Sequence, residues 1–372
     1  MMLVNIGILL ASALTFMHLA EAQEEVTWEG AYFDWPCNTI KKLFERNGKY
    51  NSRNVIATRF GIVKDQGILA LPRFHPGNPV TLGKISLKNS ACDPIIKPFP
   101  CWSFQEEGDC AALQNVVDIY VDVNEIVWAL DIGVVNTLEE QPIRHCSPKV
   151  VGICSKSGKV FKSIDLANLV CPDSRLQYVV ADVAEDGRTY LYISDAATRS
   201  LIVYDVHGSR GLRVLLPKAV TSGCGGNRDV LYLALVHKPG GKSVLYLTYL
   251  CSAHLFSIRT DYLRKGASNG RLVSHGLKPD KIIPLGTDGG EAIFFRYEGH
   301  NDVYRWDTNT CFSEESFEQV SADDSCLLAT QIVPDYRKGR MRLLSSNFHD
   351  YLQGTIGCGA IQRISTVEGV PQ

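Results

Sequence analysis

The chain has 372 residues, with 38 Lys and Arg against 40 Asp and Glu and a formal charge of −2 scattered in both signs along its length. No cationic run or face exists to hold phosphate backbones or anionic lipid, so neither nucleic acid nor a membrane is expected as a partner. Twelve cysteines without a Cys-x-x-Cys pair favour disulfides in an oxidising compartment over a zinc or thioredoxin-like site.

Residues 1–22 have the form of a secretory signal peptide: an apolar stretch from Ile6 to Leu19, then Ala20-Glu21-Ala22 ahead of the cleavage point. The stretch is shorter than the roughly 20 residues a bilayer-spanning helix needs. The mature chain, 23–372, is therefore expected to be secreted and extracellular. Residues 38–45 predict a short helix. After it, six segments share one strand–turn–strand grammar: 54–72, 117–131, 178–195, 231–249, 291–307 and 330–347. Their turns fall at 64–66, 123–125, 185–187, 239–241, 298–300 and 338–340, one every 40 to 60 residues or so, as blades of a propeller would place them. Further strands lie between; the run Leu201 to Val206 should pair beside the strand ending at Asp195. A pair of β-sandwiches would also give many short strands, but offers no reason for a near-constant interval between matching hairpins. The fold class predicted is an all-β, disulfide-bonded, six-bladed β-propeller occupying 23–372 as a single domain.

Several stretches carry a more specific likeness. They are Arg73-Phe74-His75-Pro76-Gly77-Asn78-Pro79-Val80-Thr81-Leu82, Pro98-Phe99-Pro100-Cys101-Trp102, the run Cys110 to Val116, the run Val127 to Val135, Cys146-Ser147-Pro148-Lys149, and Leu201 to Asp205. Together, in this order, they resemble the yellow and major royal jelly proteins of insects, over about residues 35–347; the opening Trp35-Pro36-Cys37 is similar to the branch linked to egg coats. The resemblance implies a bond between Cys110 and Cys146. Two other family cysteines would fall near Asn124 and in the 185–188 turn, where this chain has none. Cys37, Cys92, Cys101, Cys154, Cys171, Cys224, Cys251 and Cys326 remain unassigned, because spacing alone does not fix connectivity.

The resemblance also implies a place to look for a ligand. Some yellow-type proteins of biting-fly saliva hold biogenic amines in the central channel, and Thr330, Asn347 and Phe348 align with the hydroxyl, amide and aromatic contacts of that pattern. Such a trio suits a small aromatic amine or a catechol-derived ligand; alternatively Asn347 caps a turn and Phe348 belongs to the core. No catalytic motif is present, neither Gly-x-Ser-x-Gly nor His-Glu-x-x-His nor a phosphate loop, and no cofactor or metal is implied. The run Asp182 to Gly187 fits a hairpin turn better than a calcium loop. Two functions follow: a non-catalytic binder or component of an extracellular layer such as cuticle or eggshell, and a dopachrome-converting isomerase of the melanin pathway. The second needs only a positioned base and acid. His75, His254, His300, His349 and Glu291 are the candidates, although for each a surface or structural role is the ordinary one. Catalytic residues are left unassigned.

Overall fold

Each segment with the hairpin grammar has a residue at its turn that holds positive φ, including the non-glycines Lys64 (55°) and Glu125 (58°). Tight turns of this hand match the twist of the strands they join. The computed structural model describes residues 25–88, 91–226, 228–240, 242–322 and 325–367. The expected signal peptide, 1–22, lies outside them.

The strands form six antiparallel blades around one axis. From the axis outward, blade 1 begins with Arg59–Val63, Gln66–Ala70 and Leu82–Ser86; blade 2 is Val116–Val121, Ile126–Asp131, Lys149–Cys154 and Val160–Asp165. Blade 3 is Leu176–Val183, Thr189–Asp195, Ser200–Asp205 and Arg210–Leu215, and blade 4 is Leu231–Lys238, Lys242–Tyr249, His254–Arg259 and Val273–Leu277. Blade 5 is Ile282–Thr287, Ala292–Tyr297, Val303–Asp307 and Phe317–Ser321; blade 6 starts with Leu328–Asp335 and Arg340–Ser346. Each inner strand touches the inner strands of its two neighbours, and the circle closes between blades 6 and 1. The helix predicted before blade 1 spans Asn38–Arg46.

The two ends of the described chain meet in blade 6. Ile361–Val367 forms its third strand and Val26–Glu29 its fourth, paired antiparallel with Val26 opposite Ile364. Val26 and Trp28 point inward at 1% and 2% exposure, so the closing strand is held by apolar burial as well as by its ladder. Burying side chains of this size is worth about 1.5–3 kcal/mol each.

In five blades the predicted hairpin is the inner pair of strands. Blade 5 differs. The segment 291–307 forms its second and third strands, and the inner strand is Ile282–Thr287. Pro284 and a shift of register between Pro284 and Gly286 break the strand pattern there, which is why the sequence hides it.

The stretch that most resembles the family is a buried brace between blades 1 and 2. Arg73, 2% exposed, donates to the backbone carbonyls of Asn78, Pro79, Gln105, Leu113 and Gln114. Asn78 Nδ2 donates to Leu71 O at 2.8 Å, and Thr81 Oγ1 accepts from Val116 N at 2.7 Å. Asp131 accepts the N–H groups of Gln114, Asn115 and Gly133 at 2.8–2.9 Å. A guanidinium with its donors engaged satisfies five carbonyls that a loop buried at this depth would otherwise leave orphaned.

Two disulfides are present, Cys110–Cys146 and Cys224–Cys251. They occupy equivalent places in blades 2 and 4: each ties the segment leading into the blade to the connection after its second strand. Spacing alone does not fix the second pair; the structure does.

Candidate functional site

Because the inner strands run side by side around the axis, their starts ring one mouth of the channel, here the upper, and their ends ring the lower. A cavity lies in each. The upper one, of about 680 Å³, is lined by Thr58, Phe74, Tyr232, Thr330 and Phe348, with Arg59, Arg144, Arg175 and Arg296. The lower one, of about 750 Å³, is lined by the apolar side chains of Ile62, Val121, Val180, Leu233, Leu285 and Val333, with Asp118, Asp122, Glu125 and Asp335. Both volumes suit a small molecule.

Arg59 and Tyr178 line both cavities and belong to the septum between them. From blade 1, Arg59 donates to Tyr178 Oη of blade 3 at 2.6 Å and to the Thr330 carbonyl of blade 6, and its Nε lies 3.4 Å from Asp118 Oδ1 of blade 2. Its guanidinium also lies 4.8 Å from the centroid of the Tyr178 ring, which is 5.3 Å from that of Tyr232 in blade 4. The second oxygen of Asp118 accepts Val179 N at 2.7 Å. Gln331 Oε1 accepts Phe60 N at 2.6 Å, joining blades 6 and 1. Burial pushes the Asp118 carboxyl up to about 7, although Arg59 and the Val179 N–H pull it down. Burial works against the charge of Arg59, yet Tyr178 and Asp118 outweigh it and hold its pKa above the ordinary value.

Thr330 and Phe348 both face the upper cavity. The Thr330 hydroxyl donates to Leu344 O at 3.1 Å, and the Phe348 ring is stacked 6.3 Å from Tyr351 and tilted against Phe74 at 6.0 Å. Asn347, 7% exposed, uses its side-chain oxygen to accept Ile361 N at 2.8 Å. The structure thus brings two of the three residues to one wall, while the third ties the last helix, Phe348–Gln353, to blade 6. Thr58 Oγ1, on the same wall, is buried and has no partner. The thiol of Cys171, also in the lining, is held below its usual value by the Ser174 hydroxyl and Arg213.

The five acid–base candidates are placed elsewhere. His75 pairs with Glu139 at 2.7 Å and His349 with Asp350 at 3.0 Å. His254 and His300 do not belong to the lining of either cavity. Glu291 meets Lys238 at 3.7 Å and Asn309 at 2.8 Å. Asp182, which the structure places in the inner strand Leu176–Val183, accepts Ser243 Oγ at 2.7 Å and pairs with Arg264. Among the described residues no group of three His, Cys, Asp or Glu is placed to hold a metal.

Sequence reasoning passed over Arg59, Asp118, Tyr178, Tyr232 and Arg296. A trace of them was there: Arg59 heads an otherwise apolar inner strand, and Asp118 interrupts the run Val116 to Val121. A charged residue at an inward position of a buried strand needs a partner across the axis.

Residues 114–366 match the family model described as major royal jelly protein. A dopaminechrome tautomerase of Drosophila melanogaster is 29% identical over 203 residues, which cover 52% of this chain and 43% of the relative. Major royal jelly protein 3 of Apis mellifera is 24% identical over 182 residues, 48% of this chain and 32% of the relative. Major royal jelly protein 8 of the same bee is 19% identical over 323 residues, covering 81% and 76%. The match thus spans less than half the length of the first two.

Proposed function

The chain belongs to the major royal jelly protein family, and from that premise we propose that it is a secreted propeller that holds a small catechol-derived aromatic molecule in its upper mouth without converting it. The observation that carries the reading is the upper cavity: Phe348 and Tyr232 offer ring faces, Thr330 and the unpartnered Thr58 hydroxyl offer polar contacts, and four arginines supply the charge. Catechol and quinone oxygens are acceptors for such donors. No carboxylate stands among the described lining residues, so this wall favours a neutral or anionic ring over the ammonium of an aromatic amine. Secretion is supported by the two disulfides.

The similarity to a dopaminechrome tautomerase supports a second reading, isomerisation of an aminochrome. That step needs a base within reach of the ring. The upper cavity has no histidine or carboxylate in its described lining, and Asp118 lies in the septum bonded to Arg59 and Val179. Incubating the purified protein with dopaminechrome and following its absorbance tests the choice. Decay no faster than in buffer supports the binder; an acceleration of about tenfold or more, lost with Phe348→Ala, supports the tautomerase instead.

A further inference from the structure

The lower mouth has the opposite character. Three of the four carboxylates in its described lining are engaged: Asp118 with Arg59, Asp122 with Asn124 N, Ile126 N and Trp128 Nε1 at 2.9–3.0 Å, and Glu125 with Lys156 at 3.0 Å. Of the cations in its lining, Arg59 is held in the septum and Arg337 pairs with Asp65, leaving Lys64 exposed at the rim. The fourth carboxylate, Asp335, ends the inner strand of blade 6, lines the cavity, and is 3% exposed. Although Arg340 lies opposite it across the hairpin, Asp335 Oδ1 has no hydrogen-bond partner. A buried carboxylate oxygen left unmatched costs several kcal/mol unless a cation or donor meets it.

We propose that the lower mouth is a second ligand site, distinct from the upper one, which takes an organic monocation: an ammonium meeting Asp335 on an aromatic or aliphatic body that fills the apolar walls. Several features fit this class. One unpartnered carboxylate oxygen matches one positive charge, and among the described residues no group of three His, Cys, Asp or Glu is placed to hold a divalent metal. Tyr120 and Tyr336 line the same cavity, and aromatic rings are the side chains that suit an organic cation. Its volume of about 750 Å³ leaves room for a bicyclic body. The two mouths then select by charge, the upper by its arginines and the lower by one acid, with the Arg59–Tyr178 septum between.

The test is calorimetric titration of phenethylamine, with phenethyl alcohol as its uncharged counterpart, into the wild-type protein and into the Asp335→Asn and Phe348→Ala variants. The expected result is saturable binding of the amine, weaker by about tenfold or more for the alcohol and for Asp335→Asn, and unchanged by Phe348→Ala. Asp335→Asn keeps the shape and removes a buried charge, so its melting temperature should equal or exceed that of the wild type. Equal affinity for amine and alcohol overturns the proposal on the wild type alone. So does an amine affinity that Asp335→Asn leaves intact, that Phe348→Ala abolishes, or that does not saturate at all.

Discussion

Asp118 and Arg73 show how far single buried charges organise this molecule. The Asp118 carboxyl is raised to about 7 when folded, against about 4 for an aspartate in an unfolded chain. Between those values the folded state binds the extra proton, so this residue makes stability fall as pH rises from about 4 through 7, the reverse of a carboxylate stabilised by its ion pair. Denaturant unfolding of the wild type and Asp118→Asn across that range should show the fall in the wild type and a flatter curve in the variant; parallel curves would refute the assignment. Arg73 poses a different question, since its five carbonyl partners are all backbone. Arg73→Met should lower unfolding free energy by about 3 kcal/mol or more, because it orphans buried acceptors that water does not reach. Loss below about 1 kcal/mol would mean that those loops rearrange to satisfy themselves.

The elements were legible wherever local chemistry and blade geometry agree. The hairpins at 64–66, 123–125, 185–187, 239–241 and 338–340 combine turn residues with apolar alternation, and each is the inner pair of a blade. Blade 5 was misread because Pro284 and the irregular register at Gly286 weaken its inner strand, leaving the stronger pair, Ala292–Tyr297 and Val303–Asp307, to imitate it. The candidate site was legible only in part for a related reason. Thr330 and Phe348 lie in the last blade and the helix that follows its second strand, where the resemblance directs attention, whereas Arg59, Asp118, Tyr178 and Arg296, from blades 1, 2, 3 and 5, come together only once all six blades close into a ring. The disulfides act at this scale too. Each staples the segment entering a blade to the connection after its second strand, across sequence separations of 36 and 27 residues. Chain entropy makes each worth about 3–4 kcal/mol. Serine replacement of both Cys110 and Cys146 should cost about that in denaturant unfolding; a loss near zero would place the bond in a part of the molecule already held by its strands.

Across the whole molecule, closure of the ring is what gives the channel its two mouths. Pairing Val26–Glu29 with Ile361–Val367 joins the ends of the described chain in blade 6, the blade that also bears Thr330 at the upper mouth and Asp335 at the lower. Trp28→Ala in that strand should cost about 3–5 kcal/mol by thermal or denaturant unfolding, and a smaller effect would mean that the strand is dispensable for closure. Function depends on the same geometry, since the upper arginines come from blades 1 and 5 and from the loops that lead through blade 2 and into blade 3. The most direct measurement is calorimetric titration of 3,4-dihydroxyphenylacetate, an anionic catechol, into the wild type, Phe348→Ala and Asp335→Asn. The account predicts saturable binding that weakens by about tenfold or more with Phe348→Ala and is untouched by Asp335→Asn. Absence of saturation, or an affinity that Phe348→Ala leaves unchanged, would contradict it.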